Sequence, residues 1–178
     1  LDEAQLVKYI EALIIHGKYD AAYAYIDKVR CERLNPKRVL RLCDYYIRKG
    51  IESDELFKPD TFLIGLAYYA FSKGKYSEYT LKFLNIHYNG AAADMHKLWK
   101  TAKEQGIDVF ELEERLICQM LFCRCSCEDM ADVFSHYGGN GAGERIVEAY
   151  LAYNAYMYFV KSEKVSAELF GFIEDRLR

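Results

Sequence analysis

One turn sequence occurs twice in the chain, and this repeat constrains the fold more than any other feature. The stretch HGKYDAAYAYI at 16–26 returns as KGKYSEYTLKF at 73–83, fifty-seven residues later. In both copies, apolar residues at helical spacing precede the glycine and follow the tyrosine. Glycine readily adopts the left-handed conformation that ends a helix, so each copy predicts a helix, a turn and a second helix. We expect the tyrosine ring to pack into the open end of each pair, with the lysine in solvent.

Apolar residues recur at helical spacing along almost the whole chain, and no long run alternates with the period of a strand. Asn35 followed by Pro36 predicts the start of a third helix, which we expect to stop at Gly50, and Asp60 predicts the cap of a fourth. The residues predicted to be buried are, helix by helix, Leu6, Tyr9, Ile10, Leu13 and Ile14; Ala22, Tyr23, Ile26 and Val29; Leu40, Cys43 and Ile47; Leu63, Leu66, Ala67, Ala70 and Phe71; Tyr79, Phe83 and Ile86; Met95, Leu98, Trp99 and Ala102; and Leu112, Leu116, Ile117, Met120 and Leu121.

These segments form a unit of about fifty-six residues, three helices long, that occurs twice and begins again after Asp108. A helical hairpin cannot bury its own apolar stripe, so neighbouring repeats must stack on it. The sequence therefore predicts an all-α fold, a right-handed α-solenoid of antiparallel helix pairs with about ten helices. We expect one domain over 1–178, with repeat-like units at about 1–50, 58–106, 108–138 and 142–178. Because the chain opens with LDEAQ, we also expect it to be excised from a longer protein.

The first two copies resemble the tetratricopeptide repeat. The first carries the pattern at Leu6, Tyr9, Ile10, Leu13, Gly17, Tyr19, Ala22, Ile26 and Val29, and the second at Leu66, Ala67, Ala70, Gly74, Tyr76, Tyr79, Phe83 and Ile86. Tyr79 stands where the family has a small residue, Cys125 and Cys127 replace Gly-x-Tyr in the third copy, and an extra helix lengthens each repeat. The resemblance, which extends to fragments of large bacterial proteins of unassigned function, implies a solenoid whose concave surface of first helices binds a partner.

A basic stretch marks the third helix. Between Lys28 and Lys49 lie eight cations and two carboxylates, a local charge of +6 in a chain whose net charge is −3. Lys37, Arg41 and Arg48 share one side of the helix, opposite its apolar stripe. A solvated helix face is the default interpretation, and contact with an anionic peptide or a nucleic acid is the alternative.

Tyrosines are the second candidate for a binding surface, since the chain has 16 of them. Tyr150 and Tyr153 share one face of a predicted helix, and Tyr68 and Tyr69 are adjacent, so both cannot point inward. Tyrosine is favoured at binding surfaces because it buries a large area at low entropic cost. We therefore select Tyr69, Tyr150 and Tyr153 as candidate binding residues; packing between repeats is the competing interpretation.

Other chemistries find little support. Four cysteines at Cys118, Cys123, Cys125 and Cys127 do not have the spacing of a zinc site, and we expect reduced, structural thiols in a cytoplasmic protein. The loop GGNGAGE at 138–144 lacks the strand and the Gly-Lys-Ser/Thr of a phosphate loop. Glu111, Glu113 and Glu114 resemble a solvated first helical turn, and the four histidines have no evident catalytic partner. We expect no metal, no cofactor and no enzyme activity.

The uncharged runs are too short to cross a bilayer, so no membrane contact is expected in this segment. The function predicted from the sequence is a protein–protein interaction scaffold that binds a peptide or helix of an unidentified partner. Two alternatives stay open. One is a binder of nucleic acid or another anionic ligand through the basic helix at 37–49, and the other is a structural spacer in a larger protein.

Overall fold

A computed structural model describes residues 2–53, 59–122 and Val133, and the part of the chain within these ranges is helical, without strands. Its helices are α1 (Glu3–Ile15), α2 (Tyr19–Ile26), α3 (Pro36–Glu52), α4 (Thr61–Ser72), α5 (Glu78–His87), α6 (Ala92–Glu104) and α7 (Phe110–Phe122), with a short 3-10 turn at Cys31–Arg33. The predicted all-α class is confirmed. The last predicted repeat lies outside the described residues.

The predicted helix starts are confirmed by their capping bonds. The Asn35 side chain accepts a hydrogen bond from the Lys37 backbone N–H at 3.0 Å, and Pro36 occupies the first turn of α3. Asp60 accepts from the Leu63 N–H at 2.6 Å and caps α4. Each cap satisfies a backbone N–H that has no partner within its own helix, so these short polar residues set where the helices begin.

The two Gly-Lys-Tyr turns have the same backbone structure. Gly17 and Gly74 adopt φ of 71° and 72°, the left-handed conformation. In the first turn the Lys18 N–H donates to the Leu13 carbonyl at 2.8 Å and the Gly17 N–H to the Ile14 carbonyl at 3.1 Å. The second turn repeats both bonds, with Lys75 to Ala70 at 2.9 Å and Gly74 to Phe71 at 2.8 Å. Both turns are therefore Schellman motifs, in which the lysine contributes its backbone N–H.

The tyrosines of the two turns lie in different environments. Tyr19 reaches across to α3, where its ring stacks on Tyr45 with centroids 4.4 Å apart. Tyr76 stays beside Phe71 of α4, at 6.0 Å, and is 37% exposed. The turn sequence repeats, whereas the contact made by its aromatic residue does not.

Helix α3 is the centre of the first part of the fold, because it packs against α1, α2, α4 and α5. Its buried residues are Val39, Leu42, Cys43 and Ile47. The prediction of a buried Leu40 is wrong, since this side chain is only half-buried. The predicted stop at Gly50 is also wrong. Gly50 stays helical, and α3 ends only after Glu52, where the Ser53 N–H bonds to the Lys49 carbonyl.

The helices around α3 confirm most of the predicted core. All five residues predicted for α4 are buried, as are Ile10, Leu13 and Ile14 of α1. Helix α5 differs, because it buries Phe83 together with Leu81 and Leu84 while Tyr79 and Ile86 are exposed. Tyr9 of α1 is exposed too, so the buried face of α1 is narrower than its predicted stripe. The buried face of α5 is rotated around the helix relative to its predicted stripe.

The chain divides into two compact units, Leu1–Tyr88 with Gln105–Ile107, and Asn89–Glu104 with Asp108–Arg178. In the second unit α6 packs against α7. The predicted core residues of α6 are all buried, as are those of α7 whose side chains are described: Met95, Leu98, Trp99, Ala102, Leu112, Leu116, Ile117 and Met120. Glu113, predicted to be solvated, is only 7% exposed, so the first turn of α7 is not uniformly in water. No helix within the described ranges is both long and apolar enough to cross a membrane.

Candidate functional site

An open cleft of about 610 Å³ runs along the outward side of α3. Six of its seven lining residues come from this helix, at helical spacing, so they form one continuous face. We call it the α3 cleft, and it is lined by Tyr19, Arg41, Asp44, Tyr45, Arg48, Lys49 and Glu52. All of these residues belong to the first compact unit.

Stacked tyrosines form the aromatic part of the cleft. The Tyr19 and Tyr45 rings lie 4.4 Å apart at an interplanar angle of 25°, and Tyr46 meets Tyr45 edge-on at 5.1 Å. The Tyr46 hydroxyl donates to the Asp20 carboxylate at 2.7 Å. Burial and this hydrogen bond raise the pKa of Tyr46 above its usual range. The tyrosines are thus held in place by ring contacts and by a charge-assisted hydrogen bond.

The cations of the cleft lie against aromatic rings. The Arg41 Nε donates to the Tyr19 hydroxyl at 2.9 Å, and the Arg48 guanidinium lies 4.4 Å from the centre of the Tyr79 ring. Neither guanidinium forms an ion pair with a carboxylate of the described residues. Aromatic contacts of this kind orient a guanidinium without neutralising its charge, which leaves it available to an anionic group.

Lys49 is more engaged than the two arginines. Its ammonium lies 5.6 Å from the Tyr45 ring centre and 3.8 Å from the Asp20 carboxylate. The Asp20 carboxylate therefore accepts a hydrogen bond from the Tyr46 hydroxyl and forms an ion pair with Lys49. Through Asp20, α2 contributes a negative charge that partly offsets the positive charge at this end of the cleft.

Two carboxylates line the cleft as well. Asp44 is half-buried and accepts a hydrogen bond from the Ser77 hydroxyl, the capping residue of α5, at 2.5 Å. Burial raises the pKa of Asp44, although the Ser77 hydrogen bond and the nearby Arg48 charge oppose the shift. Glu52 is exposed at the last turn of α3. The cleft therefore has mixed charge, with three cations and two carboxylates.

The residues predicted from the sequence divide into three groups. Arg41 and Arg48 both line the α3 cleft, while Lys37 is exposed one turn earlier on the same helix and outside the lining. Tyr69 lies in the core, 9% exposed, and its hydroxyl donates to the Leu34 carbonyl at 2.9 Å. That position corrects the selection of Tyr69 as a surface residue. Tyr150 and Tyr153 lie outside the described residues.

The candidate residues chosen from the sequence did not include Tyr19, Tyr45 or Lys49, although Lys49 ends the basic stretch from which Arg41 and Arg48 were taken. Tyr45 and Lys49 follow Arg41 by four and eight positions, so the helical spacing that links Arg41 to Arg48 could also have found them. Tyr19 was assigned a role in its own turn. No local pattern indicated that its ring would reach α3.

Within the described ranges, no three histidine, cysteine, aspartate or glutamate side chains are placed to hold a metal ion together. Cys43 is buried and Cys31 half-exposed, both as free thiols, and burial raises the pKa of each. Cys118 lies in α7, but its side chain is outside the described part. The other three clustered cysteines and the loop at 138–144 also lie outside it.

Comparison with protein families gives a match. Residues 60–178 match the C-terminal part of a family of unknown function, DUF5717. The match begins at the residue that caps α4, so α1, α2 and α3 precede it, and so do all seven residues that line the α3 cleft. No curated protein and no solved structure matches the chain. Since the matched residues make up about two thirds of its length, the chain belongs to the DUF5717 family.

Proposed function

We propose that the chain is a protein–protein interaction scaffold that binds a peptide segment or helix of a partner in the α3 cleft. The observation that carries this proposal is the pairing of stacked tyrosines with two oriented arginines in one open cleft. Tyrosine and arginine are enriched at the energetic centres of protein interfaces. A patch that combines them on the exposed face of a helix packed against four others has the composition and the rigidity of a binding surface.

The rigidity comes from contacts that exist before any partner binds. Arg41 is held by the Tyr19 hydroxyl and Arg48 by the Tyr79 ring, while Tyr45 lies between Tyr19 and Tyr46. Side chains already ordered in the free protein lose less conformational entropy on binding. The cleft would therefore convert more of its contact energy into affinity than a face of freely rotating side chains.

The fold supports the proposal by analogy. The two Schellman turns at Gly17 and Gly74, each joining two packed helices and each followed by a third helix, favour a tetratricopeptide-like solenoid. In this proposal the binding surface is on α3, the third helix of its repeat. It differs from the surface of first helices that the resemblance to the repeat family implies.

Binding through mixed charge also argues for a peptide over a nucleic acid. Asp44 and Glu52 line the same cleft as the arginines and would repel a continuous phosphate backbone. A peptide can alternate acidic, apolar and neutral side chains to match this pattern. In the same proposal the chain acts by binding, without catalysing a reaction.

The test is selection from a random peptide library displayed on phage, with the full 178-residue chain as the immobilised target. The matched variants are Tyr45→Ala, which removes a ring of the cleft, and Tyr25→Ala, which removes an exposed ring on α2. Circular dichroism spectra of both variants are recorded first, and only variants with the native helix content are compared. We expect enriched peptides to bind the Tyr25→Ala variant normally and to lose about tenfold in affinity for Tyr45→Ala, the equivalent of about 1.4 kcal/mol.

Two results would overturn the proposal. One is a selection that enriches no peptide. The other is a set of peptides that the Tyr45→Ala variant binds as tightly as the native chain does. A labelled single-stranded DNA that binds more tightly than any selected peptide, with steep loss of affinity on added salt, would favour the nucleic-acid alternative.

A further inference from the structure

We propose that the α3 cleft selects an acidic helix, whose carboxylates seven positions apart face Arg41 and Arg48. This inference rests on the proposed function, because it names the ligand class of the same cleft. It follows from the spacing of the two arginines, from the groups between them, and from the two guanidinium charges, neither of which forms an ion pair with a carboxylate of the described residues.

The spacing of the arginines sets the length of the recognised segment. Arg41 and Arg48 are seven residues apart on α3, which is two helical turns and about 10.5 Å along the axis at 1.5 Å per residue. A second helix lying nearly parallel to α3 has the same pitch, so side chains at its first and eighth positions present the same separation on one face. An extended strand does not match as well, because same-face side chains recur about every 6.8 Å.

The groups between the arginines specify the middle of the ligand. Asp44 and Tyr45 lie three and four positions after Arg41, so they face the central turn of a bound helix. Asp44 would repel an acidic side chain there, while the Tyr45 ring, stacked on Tyr19, offers an apolar contact. The recognised helix therefore carries an apolar residue at its fourth or fifth position and an acid at each end of the two turns.

The charge distribution of α3 points to an acidic partner at both ends of this row. Lys37 lies one turn before Arg41, is exposed, and extends the positive charge beyond the cleft. Lys49 adds a further cation beside Arg48, although it lies 3.8 Å from the Asp20 carboxylate and Glu52 follows one turn later in the same cleft, so cations outnumber carboxylates along the row. Complementary charge of this kind speeds association and fixes the register of the ligand, as expected for a helix read by its spaced acids.

The experiment uses three fluorescein-labelled helical peptides with an alanine-rich host sequence and one central leucine. The first has glutamates seven positions apart, flanking the leucine. The second has the same composition with the glutamates on opposite faces, and the third has glutamine in place of both glutamates. Fluorescence polarisation measures the affinity of each for the native chain and for Arg41→Gln, Arg48→Gln and the double variant. Arg33→Gln is the matched control, since Arg33 is exposed on the 3-10 turn and outside the cleft.

We expect the first peptide to bind about five- to tenfold more tightly than the other two. The affinity for the first peptide should fall about two- to fivefold in each single arginine variant, which is the range expected for one exposed charge pair. The double variant should no longer distinguish the three peptides, and Arg33→Gln should bind them as the native chain does. The glutamine peptide should bind every variant equally, which separates the loss of a charge pair from a change in fold.

The outcomes separate this inference from the proposed function. Peptides selected from the random library could bind at the cleft while the chain binds the three designed peptides with equal affinity. In that case the acidic-helix inference is wrong and the scaffold proposal stands. The inference also fails if Arg33→Gln weakens binding as much as Arg41→Gln. If no peptide of either origin binds, both proposals fail.

Discussion

Replacing Gly17 by alanine tests the physical reason for the repeated turn. At φ of 71° an alanine side chain is strained, and the left-handed conformation costs an L-residue about 1–2 kcal/mol. Steric overlap adds little to this cost, because the atom nearest to an added Cβ is a Tyr19 ring carbon at 4.0 Å. Alanine also stiffens the unfolded chain, which offsets about 0.4–1 kcal/mol. The net expected loss in the free energy of unfolding is about 1 kcal/mol.

Gly65 provides the matched control within the same fold. It lies inside α4 on an exposed position, and an added Cβ would have no atom within 4 Å. Alanine there should stabilise the protein by about 0.5–1 kcal/mol, because glycine is unfavourable in a helix interior. The same substitution is therefore expected to have opposite signs at two positions fewer than fifty residues apart.

The assay is urea unfolding followed by far-ultraviolet circular dichroism, with Gly74→Ala as a replicate of the second turn. With a denaturant slope of about 2 kcal/mol per molar urea, Gly17→Ala and Gly74→Ala should each lower the midpoint by about 0.5 M. Gly65→Ala should raise it by a somewhat smaller amount. A Gly17→Ala variant as stable as the native chain would refute the argument that the left-handed conformation explains the repeated glycine.

Three further predictions concern buried groups of the first unit. Tyr69→Phe should lower the free energy of unfolding by about 1–1.5 kcal/mol in the same urea assay, because the buried Leu34 carbonyl loses its hydrogen-bond donor. The control is Tyr25→Phe on the surface, which should leave the free energy of unfolding unchanged. Burial raises the pKa of Asp44, so its charge opposes folding at neutral pH, and this penalty disappears as pH falls through the raised pKa toward the ordinary value. The Asp44→Asn variant keeps an oxygen that can accept the Ser77 hydrogen bond, so its free energy of unfolding at pH 7 should equal or exceed that of the native chain. In urea titrations this gain in stability should shrink toward pH 4. A gain in stability that grows on acidification would contradict the direction assigned to the Asp44 pKa shift. Iodoacetamide should alkylate Cys31 before Cys43 in the folded chain, because Cys43 is fully buried and burial raises its pKa. Peptide mass spectrometry measures the two rates, and equal rates would contradict the burial of Cys43.

The features that could be predicted from the sequence depend on neighbours along the chain. The caps at Asn35 and Asp60 and the left-handed glycines at 17 and 74 are local, because each completes hydrogen bonds within a few residues. The apolar stripe of α4 was equally readable, since this helix is buried on a broad face. Local patterns of this kind report element type and ends well when a short polar residue or a glycine is required.

The features that could not be predicted depend on contacts between distant segments. The Tyr69 hydroxyl can be buried because the Leu34 carbonyl, thirty-five positions earlier, accepts its hydrogen bond. The buried face of α3 is wider than its stripe because four helices surround it. Gly50 remains helical although glycine often ends a helix, since α3 finds its cap at Ser53. None of these facts has a signature in the residues adjacent to it.

The candidate site shows the same division. Arg41 and Arg48 were found from helical spacing alone, because both lie on a helix whose start was predicted correctly. Tyr19 could not be found, since its place in the cleft depends on how the α1–α2 turn lies against α3. A surface built from two elements is visible only after the elements have been placed.

The most direct measurement of the proposed function is a nuclear magnetic resonance titration of the ¹⁵N-labelled chain with a peptide taken from the phage selection. We expect the amide shifts to concentrate on the outward side of α3, at Arg41, Tyr45 and Arg48, and on Tyr19, while the amides of the exposed Tyr9 and its neighbours stay unchanged. Shifts that cluster on any other face, with α3 unaffected, would contradict the assignment of the α3 cleft as the binding surface.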